Sequence, residues 1–270
     1  MARQSGHFGE FLQGRLGQDG PVALVTAPCP RAEVQAAWRP GGTFSAYAPG
    51  LRLPRGALRH LFRDAGLDAP HGLLRVACTQ PPGSGCGVST ASLLAIRATL
   101  GPPGAAEDII ALLARIEGAT DPLMMPGPET HLWASRRGKS LRRLPPLPRF
   151  DVVGGFLGPA ELTDPADHRF ADISDLVAAW APAAARGDAQ ALAELATASA
   201  LRNRALRGGP ALAPVLRAAR ALGALGLLAA HTGSAVGLLF ARGGVPEDAA
   251  KALRTLGLRR ILRFATGGRP

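Results

Sequence analysis

The spacing of hydrophobic and polar positions predicts short strands first and helices later. Residues 21–48 alternate in brief runs broken by Gly and Pro, so 22–25 and 32–38 read as strands. Leu58, Leu61 and Phe62 recur at helical spacing within 55–65. Residues 73–79 form a strand around Val76 and run into a Pro/Gly loop, after which 89–100 reads as a helix. A second helix covers 105–117, with Ile109, Ile110, Leu112, Leu113 and Ile116 on one face. Residues 144–160 are rich in Pro and Gly and hold a short strand at 151–156. That stretch is either a boundary between halves, 1–150 and 151–270, or a crossing between them. Helices follow at 173–185, 189–204 and 211–229, then a strand at 237–240, a helix at 246–256 and a last strand at 259–264. No internal repeat is present, and the class is α+β.

Composition narrows the setting. A chain of 270 residues with 47% hydrophobic content buries a sizeable core, as one large domain or two joined halves. No charge-free apolar run reaches 18 residues, so no membrane span is expected. The first six residues lack the apolar stretch of a signal peptide. Cys29, Cys78 and Cys86 are odd in number and dispersed, which argues against a disulfide framework or a zinc site. A cytoplasmic protein is the resulting expectation. The net charge is +11, and the only lysines are Lys139 and Lys251. The excess of Ala, Gly, Pro and Arg has the look of GC-rich codon usage. The densest basic run, residues 136–143, has no interleaved aromatics for stacking on bases. It reads as a solvated loop or strand face, with nucleotide phosphates or RNA as alternatives.

The segment Gln80-Pro81-Pro82-Gly83-Ser84-Gly85-Cys86-Gly87-Val88-Ser89-Thr90 joins a strand to a helix. Glycines at alternate positions let the backbone turn sharply and come close to a ligand. The free N–H groups of the first helical turn and the positive end of the helix dipole make an anion site. Ser89 is placed to cap that helix or to ligate a metal. A plain Gly-rich turn with a Ser cap is the competing reading. No Lys-Ser or Lys-Thr closes the loop, so it is not a Walker loop, and its glycines do not fit the dinucleotide fingerprint.

Residues 81–91 resemble the phosphate-binding motif of the GHMP kinases, Pro, three variable residues, then Gly-Leu-Gly-Ser-Ser-Ala-Ala. Gly85, Gly87 and Ser89 fall in place; Cys86 stands where Leu is usual and Val88 where the first Ser is usual. Two further segments agree in order. Gly6-His7-Phe8-Gly9-Glu10-Phe11-Leu12-Gln13-Gly14 resembles the opening segment of the branch containing the L-threonine kinases of cobalamin synthesis. Ala230-His231-Thr232-Gly233-Ser234 resembles the third motif of the family, again in the form of that branch. The likeness spans Gly6 to Phe240. It implies a GHMP kinase fold, with a first half like domain 2 of ribosomal protein S5 and a ferredoxin-like second half.

The resemblance also implies roles. ATP would bind along Pro81, Pro82, Gly83, Ser84, Gly85, Cys86, Gly87, Val88, Ser89 and Thr90, closed over by Thr232, Gly233 and Ser234. Mg2+ would sit between Ser89 and Glu117, and Asp121 would be the base or orienting group. His7, Glu10 and His231 are candidates for the substrate, Glu10 for the ammonium of an amino acid. Residues 202–204 read as a solvated helix face, Trp133, Met124 and Met125 as packing, and Cys86 as an apolar filler with a helix N-terminus beside it. The expected activity is ATP-dependent phosphorylation of L-threonine to O-phospho-L-threonine for the aminopropanol linker of cobalamin. A kinase for another small alcohol, such as homoserine or ethanolamine, and an RNA-binding protein using the S5-like half are the alternatives. Partners are then ATP and a small hydroxyl-bearing metabolite, with no membrane and no nucleic acid, in a monomer or homodimer.

Overall fold

Residues 6–14 are buried without a break, so both faces of this segment lie under other elements. A computed structural model, describing residues 1–67, 70–102, 104–167 and 169–268, shows why. The segment belongs to strand β1 (Ala2–Arg15), between β2 (Val22–Pro40) and β8 (Gly226–Ala229) in one sheet. Helix α2 (Val88–Leu100) packs on β1 and β2, and α5 (Ala189–Arg207) packs on β1 and β8. A strand covered on both faces shows no period-two alternation.

The remaining strands are β3 (Ser45–Tyr47), β4 (Gly72–Cys78), β5 (His131–Ala134), β6 (Lys139–Arg143), β7 (Phe150–Phe156), β9 (Ala235–Ala241) and β10 (Arg259–Thr266). They run β10-β7-β9-β8-β1-β2-β4-β3, with β5 pairing β2 and β6 pairing β5. The helices α1 (Ala57–Asp64), α3 (Ala106–Glu117), α4 (Ser174–Ala185), α6 (Ala213–Ala221) and α7 (Ala249–Thr255) complete the α+β fold. No described helix is long and apolar enough to cross a membrane.

Most predicted elements are present within a few residues of their expected ends, with three corrections. The expected strands at 22–25 and 32–38 are one strand, β2, whose pairing with β1 shifts register between Cys29 and Glu33. The expected helix at 211–229 stops at Ala221, because Gly223 takes a left-handed φ of 71°. Gly226–Ala229 is instead a fully buried strand paired with β9. The last helix is shorter than 246–256, starting at Ala249. The exposed run 139–143 is strand β6.

Phe8 is the aromatic centre of the core. Its ring lies 5.7 Å from Phe156 and 5.4 Å from Phe264. Gly154 and Gly237 make room for it, since a Cβ on Gly154 would come within 2.6 Å of the ring. We predict that Phe8→Ala lowers stability by about 3–5 kcal/mol, read from urea midpoints. A loss under about 1 kcal/mol would show that the ring is not a core determinant.

Candidate active site

The loop between β4 and α2 is held by its carbonyls. Gly83 O accepts from Glu161 N at 2.8 Å, and Ser84 O accepts from Ser234 N and Ala235 N at 3.2 and 2.9 Å. Gly85 O accepts from Gly9 N at 3.0 Å and Cys86 O from His7 N at 3.1 Å. In a trans peptide the next N–H points opposite the carbonyl. The N–H groups of Gly85, Cys86 and Gly87 are therefore turned away from the scaffold. Among the described residues, none of the backbone N–H groups from 85 to 90 has a backbone acceptor. Gly83, Gly85 and Gly87 have φ of 74°, 82° and 63°, the alternation that gathers successive N–H groups into an anion nest. Gly87 caps α2, so Ser89 lies inside the first turn and caps nothing, a correction to the capping alternative.

The segments that hold the loop come from both ends of the chain. A Cβ on Gly85 would lie 2.2 Å from Ala230 Cβ, and one on Gly233 would lie 2.5 Å from Gly85 N. This close approach places Thr232, Gly233 and Ser234 directly on the glycine loop. Thr232 Oγ1 is hydrogen-bonded to Thr163 Oγ1 at 2.9 Å. Pro81 is exposed and Pro82 partly so, at the loop's outer edge. Ser84 is buried with no partner for its hydroxyl among the described residues. Val88 is buried, and so is Cys86, whose thiol burial pushes up to about 12. The helix N-terminus therefore does not make Cys86 a thiolate, and its apolar role stands.

An ionic cluster faces the loop. His7 Nε2 lies 3.2 Å from Asp121 Oδ2, and Glu10 Oε1 lies 3.9 Å from His7 Nδ1 and 3.4 Å from His231 Nδ1. His231 N donates to Glu10 Oε2 at 2.9 Å. Bulges in β1 near His7 and Glu10 turn both side chains to this side. Burial alone would lower the His7 pKa, but the Asp121 carboxylate, with Glu10 behind it, raises it to about 9. Asp121 shifts the other way: burial pushes it up, and the His7 imidazolium and the Thr90 hydroxyl outweigh that and hold it low. The two form an ion pair at neutral pH, with His7 buried and Asp121 partly exposed. The ligand atoms of His7, Glu10 and Asp121 lie within 4.8 Å of one another. A protonated His7 donates rather than ligates; its Nδ1 is buried without a hydrogen-bond partner among the described residues, with Glu10 Oε1 3.9 Å away.

Oxygen donors for a hard cation sit nearby. Thr90 Oγ1 donates to Glu117 Oε2 at 2.8 Å. Burial lifts the Glu117 pKa to about 7, against the hydroxyls of Ser89 and Thr90, which lower it. A carboxylate that burial disfavours as an anion, beside an exposed serine hydroxyl, suits a divalent cation. All these groups line one cavity of about 350 Å³, with Asp121 and His231 on its walls.

The comparisons with known proteins bear on this arrangement. The family described as "GHMP kinases C terminal" matches residues 180–257. The L. major mevalonate kinase in complex with R-mevalonate aligns at TM-score 0.63 and 16% identity, covering 98% of this chain and 96% of that one. Mevalonate kinase from Staphylococcus aureus MRSA252 aligns at 0.64 and 16%, covering 99% and 100%. The fold is that of the GHMP kinases. Homoserine kinase from Cytophaga hutchinsonii has it as well, at 0.60 and 14%, covering 98% and 94%. No curated protein matches the chain by sequence. The GHMP kinase fold thus extends across the N-terminal segments that the family match does not reach.

Within this GHMP kinase fold, parts of the three resembling segments line one cavity with Glu117 and Asp121, whereas Pro81, Pro82, Ser84, Gly233 and Ser234 are not among its lining residues. Other site residues were not apparent from sequence. Asn203 is buried and donates to His231 O at 3.2 Å, so the solvated reading of 202–204 fails for it. Arg202 does lie at the surface, paired with Asp175 at 2.6 Å. Arg136 leaves the basic run to line the cavity, beside Ser135 and Thr120. Trp133 is buried and donates to Thr120 O at 2.7 Å.

The ion pair has a pH signature. The folded pKa of His7 is raised from 6.5 to about 9. Its stabilisation is full below 6.5 and is lost as pH rises through about 9. Asp121, held low, behaves oppositely: its share is present above 3.8 and disappears as pH falls through the depressed value. We predict that the thermal midpoint falls between pH 6.5 and 9 and that His7→Gln flattens this slope. An equal slope in the variant would contradict the assignment.

Proposed function

We propose that this protein is an ATP-dependent kinase for a small hydroxyl-bearing metabolite, with residues 1–150 as the nucleotide half and 151–270 as the second domain. One observation carries the reading: a nest of unengaged N–H groups shares one cavity with the Asp121 carboxylate, which lies 3.2 Å from the buried His7 ring. Phosphoryl transfer requires a phosphate cradle and a group that orients the attacking hydroxyl. The nest supplies the first and Asp121 the second.

In this reading the N–H groups of 85–90 bind the phosphates, and Thr232, Gly233 and Ser234 cover them. Ser89 and Glu117 would hold Mg2+, which supplies charge neutralisation on the phosphates. The acceptor oxygen bonds to the γ-phosphorus as the bridging bond to the β-phosphate breaks, giving ADP. Asp121 is too weak a base to remove the hydroxyl proton early. It accepts that proton's hydrogen bond, aligns the oxygen and takes the proton late in the transfer. Glu10 already binds His231 and faces His7, so we assign it to fixing both histidines rather than to a substrate ammonium.

L-threonine is our proposed acceptor, with O-phospho-L-threonine for the cobalamin linker as product. Its support is the likeness of residues 6–14 and 230–234 to the threonine kinase branch. Homoserine and ethanolamine are the rival acceptors. ADP release with Mg·ATP and each acceptor tests the reading. We predict release with L-threonine, and a fall of about 100-fold or more in Asp121→Asn with ATP affinity retained. We predict that Glu117→Gln raises the Mg2+ concentration needed for half-maximal rate by about tenfold or more. Full activity in both variants would overturn the assigned roles.

A further inference from the structure

Arg136 lies in the turn after β5, and its side chain is half-buried over the Phe170 ring, 5.6 Å from the centroid. One nitrogen, Nη2, donates to Asp164 O at 3.0 Å. The other two, Nε and Nη1, are buried and have no hydrogen-bond partner among the described residues. The nearby acids do not supply one. Arg207, on the same ring, takes Asp167 at 2.7 Å and Glu161 at 3.7 Å. Burial accordingly lowers the pKa of Arg136, against weaker help from Asp167 and Asp164.

Two more orphaned groups stand beside it. Ser135 Oγ and Thr120 Oγ1 are buried without partners among the described residues. Backbone fixes their relation, since Thr120 N donates to Ser135 O at 2.9 Å. All three residues line the cavity that holds Asp121, the residue after Thr120. An unmet buried polar group costs stability, and a charged one costs more. A cation and two hydroxyls left unmet on one wall are what an anionic ligand group would satisfy. The phosphate nest has its own backbone donors, and its loop is held by β1 and by residues 161 and 234–235; the loop of residue 161 also carries Asp164 and Phe170, so it is the Thr120–Ser135 backbone bond that ties Arg136 to the Asp121 side. The Arg136 wall belongs to the Asp121 side.

We propose that Arg136, with Ser135 and Thr120, binds a carboxylate on the phosphoryl acceptor while Asp121 takes its hydroxyl. The proposal rests on the kinase reading for the word acceptor, but the carboxylate site is testable by itself. It makes the substrate a hydroxy acid or hydroxy amino acid and excludes simple amino alcohols.

The experiment is calorimetric titration of L-threonine, L-homoserine and L-threoninol into protein saturated with Mg2+ and a non-hydrolysable ATP analogue. Wild type, Arg136→Gln and Arg136→Lys are compared, with ADP release measured on each. Wild type should bind at least one of the two carboxylates about 30-fold more tightly than L-threoninol. Arg136→Gln should lose that preference to within about threefold and Arg136→Lys should keep part of it, with analogue affinity unchanged in both. Equal affinity for acid and alcohol in wild type, or no binding of either carboxylate, would overturn the proposal. So would a loss of analogue affinity in Arg136→Gln, which would put the arginine on the phosphates. Carboxylate binding through Arg136 without ADP release would uphold the site and sink the kinase. ADP release with L-threoninol as efficient as with the acids would do the reverse.

Discussion

Four consecutive carbonyls, from Gly83 to Cys86, are hydrogen-bonded to residues 7, 9, 161, 234 and 235. All but residue 161 lie near opposite ends of the sequence, and β1 and β8 are neighbours in the sheet, which lets them meet. Peptide planarity then turns the loop's N–H groups the other way. The anion-binding face is thus set by contacts on the side away from any ligand. It needs no side-chain charge, and the loop has none. The close approaches at Gly85 and Gly233 leave no room for a Cβ, which ties the glycine pattern to the joining of the two ends of the chain.

The second layer is electrostatic. β1 is covered on both faces, and two of its buried residues, His7 and Glu10, are ionisable. Buried charges persist only when paired. Glu10 accepts from His231 N, and His7 is paired with Asp121. The same pairing that makes the strand tolerable also holds a carboxylate ionised at the edge of the cavity. Glu117 and Arg136 are exceptions. One is a carboxylate whose charge burial disfavours, the other a guanidinium with two unmet donors. Both sit on the cavity wall, where a ligand would meet the need.

The glycine loop was readable because its signal is local: alternating glycines and small hydroxyl residues between a strand and a helix. The helices with one apolar face, such as 105–117, were readable for the same reason. β1 gave no alternation, since residues 6–14 are buried on both faces, and only its likeness to a known segment marked it. Residues 211–229 misled because Ala and Leu dominate both the helix and the buried strand that follows, and Gly223 is a weak stop in such a run. Arg136 was hidden among neighbouring arginines that are solvated, and Asn203 between two arginines on a helix. Their importance depends on what lies across the cavity, which sequence spacing does not express.

The central claim is that the N–H groups of 85–90 form the nucleotide phosphate site. Hydrogen exchange of the backbone amides, with and without Mg2+ and a non-hydrolysable ATP analogue, tests it most directly. The account predicts that the analogue slows exchange in peptides covering 83–92, with a smaller effect at 231–235. Unchanged exchange at 83–92 on saturating analogue, or protection confined to the basic strand at 139–143, would contradict it.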